Sequence, residues 1–451
     1  MNPGIANLSL EQAPPISIPF RFFLSAPLFL LAAAVLLVWF GPGVLVSRWS
    51  SGTLALTHLF TLGVLASAMF GALFQMLPVL AGSPVLRVTL IAPWVHVLLT
   101  AGTAGLVVSF LLGSAVGMAV AGAILGLAIV LFVSALAVAL WRVKVQNATT
   151  TAMWLAVVSL GITAALGLHL VVGMSGLAPF VRPFFYTDLH LGWGLLGWVA
   201  LLLMGVAYQV VPMFQVTPEY PVWMRRRMVP ALFAGLTVWS LLAGAAAYGR
   251  LPPAVAAGWM GLLVAGQLLF AWVTLRLQQQ RRRRVSDVTV LFWRTGLIAV
   301  GVCGLLWTLG RLCPEWGARS EPDLLLGVGL LLGAAVSLVN GMLYKIVPFL
   351  SWFHLQNRQL ATGCLSVRVP NMKELLSDRA AKRQFWAHLA ALGCSAGAVL
   401  APDWLARPAG LLLGGSALLL GTNLFSVVAV YRRTNRELLA AASAGGAACD
   451  P

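Results

Sequence analysis

Apolar runs long enough to cross a bilayer follow one another along almost the whole chain, separated by short polar links. A span needs roughly 20 apolar residues as a helix. Twelve runs meet that requirement, at about 21–42, 54–80, 88–111, 116–141, 151–176, 188–214, 228–248, 253–275, 289–310, 323–350, 384–401 and 405–431. Each predicts a membrane helix, because in lipid a helix satisfies its own backbone polar groups.

The polar positions inside these runs repeat. Gly71-Ala-Leu-Phe-Gln-Met-Leu-Pro78, Gly205-Val-Ala-Tyr-Gln-Val-Val-Pro212 and Gly341-Met-Leu-Tyr-Lys-Ile-Val-Pro348 share one form. It reads Gly, two apolar residues, Phe or Tyr, Gln or Lys, two apolar residues, Pro. The spacing from Gly71 to Gly205 nearly equals that from Gly205 to Gly341. The pattern predicts an all-α polytopic membrane protein with twelve transmembrane helices in three pseudo-repeats of four. The chain reads as a single membrane domain over 1–451, with repeats at about 21–141, 151–275 and 289–431 and a cytoplasmic loop at 351–383. The pattern is expected to end helices 2, 6 and 10. Gly lets a neighbouring helix approach, and Pro ends or kinks the helix. Gln75 and Gln209 are expected to hydrogen-bond between helices, and Lys345 to reach toward the inner headgroups.

Composition agrees. Of the 451 residues, 60% are hydrophobic and 9% charged, with mean hydropathy +0.92. The net charge of +17 lies in links between apolar runs, which reads as membrane topology rather than nucleic-acid binding. Arg142 and Lys144, Arg225 to Arg227, Arg276 with Arg281 to Arg284, Arg358 to Arg383, and Arg432, Arg433 and Arg436 fall on one side. Both termini are therefore expected in the cytoplasm of an inner-membrane protein. Residues 1–20 hold no basic group, so no cleavable signal peptide is expected. The cysteines Cys303, Cys313, Cys364, Cys394 and Cys449 form no CxxC pair.

Histidine carries the candidate chemistry. His58 lies near the outer end of helix 2, His190 opens helix 6 at the equivalent level, and His169 lies in the last third of helix 5. Neutral imidazole is a common metal ligand, and haem iron often takes one from each of two helices. An interfacial hydrogen bond is the competing reading of each. His58 and His190 are the candidate metal ligands, and His58, His169 and His190 the candidate cofactor-binding set. A b-type haem near the outer face is expected on His58 and a second histidine, with His169 read as better buried than His190. Copper is the alternative metal. His96, His354 and His388 are expected nearer the inner face, with interface residence explaining the last two. No Asp or Glu lies mid-membrane, where ion-coupled transporters place acids.

Twelve helices in three groups of four, both termini inside, and a histidine near the outer end of helix 2 resemble subunit I of the haem-copper oxidases, a family that includes the nitric oxide reductases. The stretch from Thr57-His58 through Gly63 to Pro78 resembles its second helix, where a histidine binds the low-spin haem. The resemblance implies a haem ligand at His58. The chain departs from the family's His-His pair on helix 7 and His-x-His on helix 10: residues 228–248 and 323–350 hold no histidine. It looks closer to the degenerate, NnrS-like relatives linked to nitric oxide stress. That implies a haem-binding protein of respiration or nitrogen-oxide metabolism, acting as sensor, electron carrier or assembly factor, with a respiratory-chain or cytochrome partner. A permease and a scaffold that has lost its metals remain the alternatives, and catalytic activity stays open.

Overall fold

The computed structural model describes residues 12–144, 146–282 and 287–446. Cys449, the N-terminal residues 1–11 and Arg283 and Arg284 of the basic run lie outside the described residues. Among those described, the chain is helical with no strand. Eleven helices are long and apolar enough to cross a membrane. They are α1 (Ser17–Leu45), α2 (Ser51–Ala81), α3 (Val88–Leu112), α4 (Ala115–Trp141), α5 (Ala148–Met174), α6 (Pro183–Gln215), α7 (Met224–Ala247), α8 (Pro253–Gln279), α9 (Val288–Leu312), α10 (Glu321–Thr362) and α12, which runs Pro402–Gly446. The remaining long helix, α11 (Asp378–Leu400), packs along α12. Its first turns carry Asp378, Arg379, Lys382 and Arg383, which keep it less apolar than the others.

Local chemistry sets the boundaries. Ser50, Ser114, Asp287 and Ser377 cap helix N-termini, each side-chain oxygen accepting a backbone N–H. Asn147 and Thr150 form a reciprocal capping box at the start of α5. Gly82, Gly113 and Gly363 close α2, α3 and α10 in the left-handed conformation.

The repeated prolines do not end their helices. Pro78 and Pro212 lie within the last turn of α2 and α6, and α10 continues through Pro348 to Thr362. Residues 351–362, expected in a loop, thus prolong α10. The helix passes a proline because neighbouring helices can re-satisfy the freed carbonyl. Likewise α12 carries on past 431 through Arg432, Arg433 and Arg436.

The repeated glycines do bring helices close. An added Cβ on Gly71 would lie 2.8 Å from Phe22 Cβ of α1, on Gly205 2.1 Å from Ala152 Cβ of α5, and on Gly341 2.9 Å from Phe292 Cβ of α9. Such spacing leaves no room for a side chain.

A second regularity lies just upstream. Helices α2, α6 and α10 each contain a π-helical segment: Leu59–Ala66, Trp193–Ala200 and Gly329–Val336. Each holds glycine at its fifth position: Gly63, Gly197 and Gly333. An added Cβ there would meet Phe29 at 2.5 Å, Ser159 at 2.9 Å and Ala299 at 3.0 Å. Short π segments concentrate at functional sites, because the extra residue per turn re-aims the side chains around it.

The expected polar contacts of the pattern differ in detail. Gln75 is buried, and its Oε1 has no partner among the described residues, so no interhelical bond forms through that oxygen. Lys345 does not simply reach outward. Its Nζ stands 3.5 Å from Asp287, the residue that caps α9.

Candidate functional site

His58 is the last residue before the first π segment, and His190 stands just ahead of the second. Their ring centroids are 6.4 Å apart and their planes 22° from parallel. Each ring is fixed by its Nδ1. His58 Nδ1 donates to the carbonyl of Leu54, one turn back, at 2.7 Å. His190 Nδ1 donates to the carbonyl of Thr163 on α5 at 2.9 Å. A carbonyl only accepts, so each neutral ring carries its proton on Nδ1. The lone pair is left on Nε2, and no group among the described residues hydrogen-bonds to either Nε2.

Two neighbours complete the ring positions. Phe110 of α3 lies 5.3 Å from His58, centroid to centroid. On α5, an added Cβ at Gly167 would sit 2.9 Å from His190 Cε1. The glycine therefore makes the space that the imidazole fills.

Both histidines line a cavity of about 1500 Å³. Its walls are mainly apolar, with Leu125, Ile129, Leu168, Val264, Leu268 and Leu331 among the lining side chains. Gln267, halfway along α8, contributes an amide to the lining. At the rim, Arg48 of the link between α1 and α2 pairs with Asp188 of α6 at 3.0 Å and with Asp323 of α10 at 3.3 Å. Its guanidinium also lies 4.4 Å from the Trp49 ring. One arginine from the first third of the chain thus joins acids from the second and the last.

The other histidines are placed elsewhere. His169, expected to be the better buried partner, is exposed. Its ring packs 4.2 Å from Tyr186, while its neighbours Leu168 and Leu170 line the cavity. It sits on the opposite face of α5 from the cavity-lining residues and does not join the pair. His388 is not an interface residue. It is fully buried in α11, where Nε2 shares a 2.8 Å hydrogen bond with Ser337 Oγ and the ring lies 5.4 Å from Phe292. His96 repeats that setting in the first third, 2.7 Å from Ser25 Oγ and 5.1 Å from Phe22. One hydrogen bond through Nε2 to a serine holds each, His96 half-buried and His388 fully buried with its Nδ1 left without a partner among the described residues.

Sequence reasoning missed Gly167, Thr163, Arg48 and Asp323. One signal was available for the acids: Asp188 and Asp323 stand one repeat length apart, as Gly205 and Gly341 do. Nothing local marks Gly167 among 45 glycines.

Each ring keeps an Nε2 lone pair free, and the two rings stack at 6.4 Å beside the cavity. Imidazole nitrogens bind metal ions at about 2.0–2.1 Å, so two rings on opposite sides of one ion have centroids about 6 Å apart. Among the described residues no group of three or more His, Cys, Asp or Glu side chains is placed to hold a metal ion. Structural zinc sites use four protein ligands and catalytic ones usually three. A scan against protein-family models finds no match, and comparison with curated proteins finds none.

Proposed function

We propose that this chain is a haem-binding protein of the inner membrane, with His58 and His190 as the residues that would hold the haem iron. The observation that carries the reading is the pairing itself: two rings 6.4 Å apart, each with its tautomer fixed so that Nε2 keeps a free lone pair. The donor set fits haem iron, which takes one or two protein ligands, and the largely apolar cavity of about 1500 Å³ suits a porphyrin. Bound there, haem would supply one-electron chemistry. Copper on the same two histidines is the alternative metal.

The wider reading is a degenerate relative of haem-copper oxidase subunit I, with twelve spans in three groups of four and both termini cytoplasmic. It is supported by π segments that begin at the same offset ahead of each pattern glycine: Leu59 before Gly71, Trp193 before Gly205 and Gly329 before Gly341. It is also supported by the Phe22–Phe74 and Phe292–Tyr344 contacts. Phe292 stands as far beyond Phe22 as Tyr344 beyond Phe74 and Gly341 beyond Gly71, so one contact is made twice, two repeats apart. Without the usual binuclear-centre histidines, the role proposed is sensor, electron carrier or assembly factor in respiration or nitrogen-oxide metabolism, with a cytochrome or respiratory-chain partner.

The permease reading draws on the cavity, whose volume exceeds the roughly 300–1,000 Å³ of ordinary ligand sites. One measurement separates the two. Protein purified from haem-replete cells should show a Soret band, with sharp α and β bands on reduction. Absence of Soret absorption overturns the haem reading and moves the permease and scaffold readings ahead.

A further inference from the structure

A second, smaller site lies between α7 and α8, away from the histidine cavity. It is a groove of about 310 Å³. Along α7 its wall is Trp223, Arg227, Ala231 and Gly235, each one turn from the next. Across it stand Gly266 and Trp259 of α8.

Small residues let the two helices pack closely beside the groove. Gly235 and Gly266 project nothing into it. Leu263 closes in to 2.9 Å from where a Cβ on Gly235 would be, and Leu232 to 2.6 Å from one on Gly266. Trp259 blocks the far end, its Nε1 donating to the Gly235 carbonyl at 2.7 Å. From Arg227 to Gly235 the groove runs about 12 Å along the helix, at about 1.5 Å per residue. One end is therefore charged and the rest apolar.

The charged end is unbalanced. Arg225 is paired with Glu219 at 3.0 Å. Arg226 and Arg227 are exposed and make no ion pair among the described residues. Trp223 is half exposed at the same level, the position that tryptophan takes at a membrane–water boundary. A π-helical turn over Met224–Met228 spreads the three arginines around the helix end.

We propose that this groove is a specific site for an anionic phospholipid: its phosphate bound by Arg227, one acyl chain laid along Ala231 and Leu262. Guanidinium groups bind phosphate oxygens bidentately, and basic pockets between membrane helices recognise anionic headgroups. A free phosphate ion shares the headgroup chemistry but cannot fill the apolar groove.

The test is native mass spectrometry of the purified protein in detergent, titrated with phosphatidylglycerol, phosphatidylcholine or inorganic phosphate. One phosphatidylglycerol should bind at least about tenfold more tightly than phosphatidylcholine. An Arg227→Gln variant should erase that preference while keeping weak binding of both lipids. Ala231→Leu, which narrows the groove from an exposed wall position, should weaken both lipids alike. Helicity by circular dichroism should match wild type in both variants. Equal phosphatidylglycerol binding by wild type and the Arg227→Gln variant overturns the proposal. So does displacement of the lipid by millimolar inorganic phosphate, which would mean an anion site without a chain groove.

Discussion

His58 and His190 face each other across 6.4 Å, yet they belong to helices whose links to one another run through three intervening helices. What brings them together is equivalence: each stands just ahead of a π segment, and the two segments begin at the same offset from Gly71 and Gly205. The third copy has Leu326 and Val328 at the same levels, so the site is built from two thirds of the chain and lined by the last.

The first prediction follows from the pair. His58→Ala and His190→Ala should each remove the low-spin spectrum and lower haem retention at least about tenfold, since loss of one axial ligand forfeits a metal–nitrogen bond. His169→Ala, on the opposite face of α5 from the cavity-lining residues, should leave the spectrum unchanged. His388→Ala should also leave it unchanged but should lower thermal stability, because Ser337 loses a buried partner at a cost of about 1–3 kcal/mol. Absorption spectra and thermal melts of the four purified variants check this. A His169 variant that loses the Soret band while His190→Ala keeps it would reverse the assignment.

Gly167 gives a finer test, because it acts only through space. An added methyl would lie 2.9 Å from His190 Cε1, so Gly167→Ala should push the ring aside and shift the reduced α band or lower haem occupancy. Gly161, on the same helix, has nothing within 4 Å of its would-be Cβ. Gly161→Ala is the matched control and should have the wild-type spectrum. Identical spectra for the two variants would mean that His190 is not held where ligation needs it.

The pattern glycines are predicted to act on stability. Gly205 is the tightest, 2.1 Å from Ala152 Cβ. Gly205→Ala should cost about 1–3 kcal/mol through overpacking. Moving the methyl back across the interface, as Gly205→Ala with Ala152→Gly, should recover part of that loss. Thermal inactivation followed by fluorescence-detected size exclusion measures it. Two independent losses that simply add would show that the close approach is not what the glycine provides.

Much of this was legible in the sequence, and the reason is the bilayer. Apolar runs have one structural solution in lipid, so Val88–Leu112 or Ala115–Trp141 could be read almost to the residue. That His58 and His190 stand at like positions was legible because each precedes a copy of the Gly…Pro pattern by a similar distance. Facing was not: one position of helical phase, about 100°, separates His169 from the cavity-lining Leu168 and Leu170. Helix ends were also misjudged where proline stood. The sequence reads Pro348 as a stop, but neighbouring helices allow α10 to run on to Thr362. The π segments were hidden because no residue type demands them. In retrospect the Leu-Gly pair shared by 62–63, 196–197 and 332–333 extends the repeat upstream into each of them.

The last prediction concerns orientation, and the native cysteines test it. Cys313 is exposed just beyond the end of α9, and Cys303 is buried within that helix. Cys364 follows α10, just past its end at Thr362, beside the arginine-bearing segment that the positive-inside rule places in the cytoplasm. With both termini inside, the α9–α10 link faces outward and the α10–α11 link inward. A membrane-impermeant maleimide added to intact cells should therefore label the wild-type protein at Cys313. Cys313→Ser should abolish that labelling, while Cys364→Ser should not change it. Permeabilising the inner membrane should then add Cys364. Labelling of Cys364 but not Cys313 in intact cells would invert the topology, carrying the His58–His190 cavity rim, with Arg48, Asp188 and Asp323, to the cytoplasmic face. A sensor or electron carrier would then take its ligand or electrons from the opposite compartment.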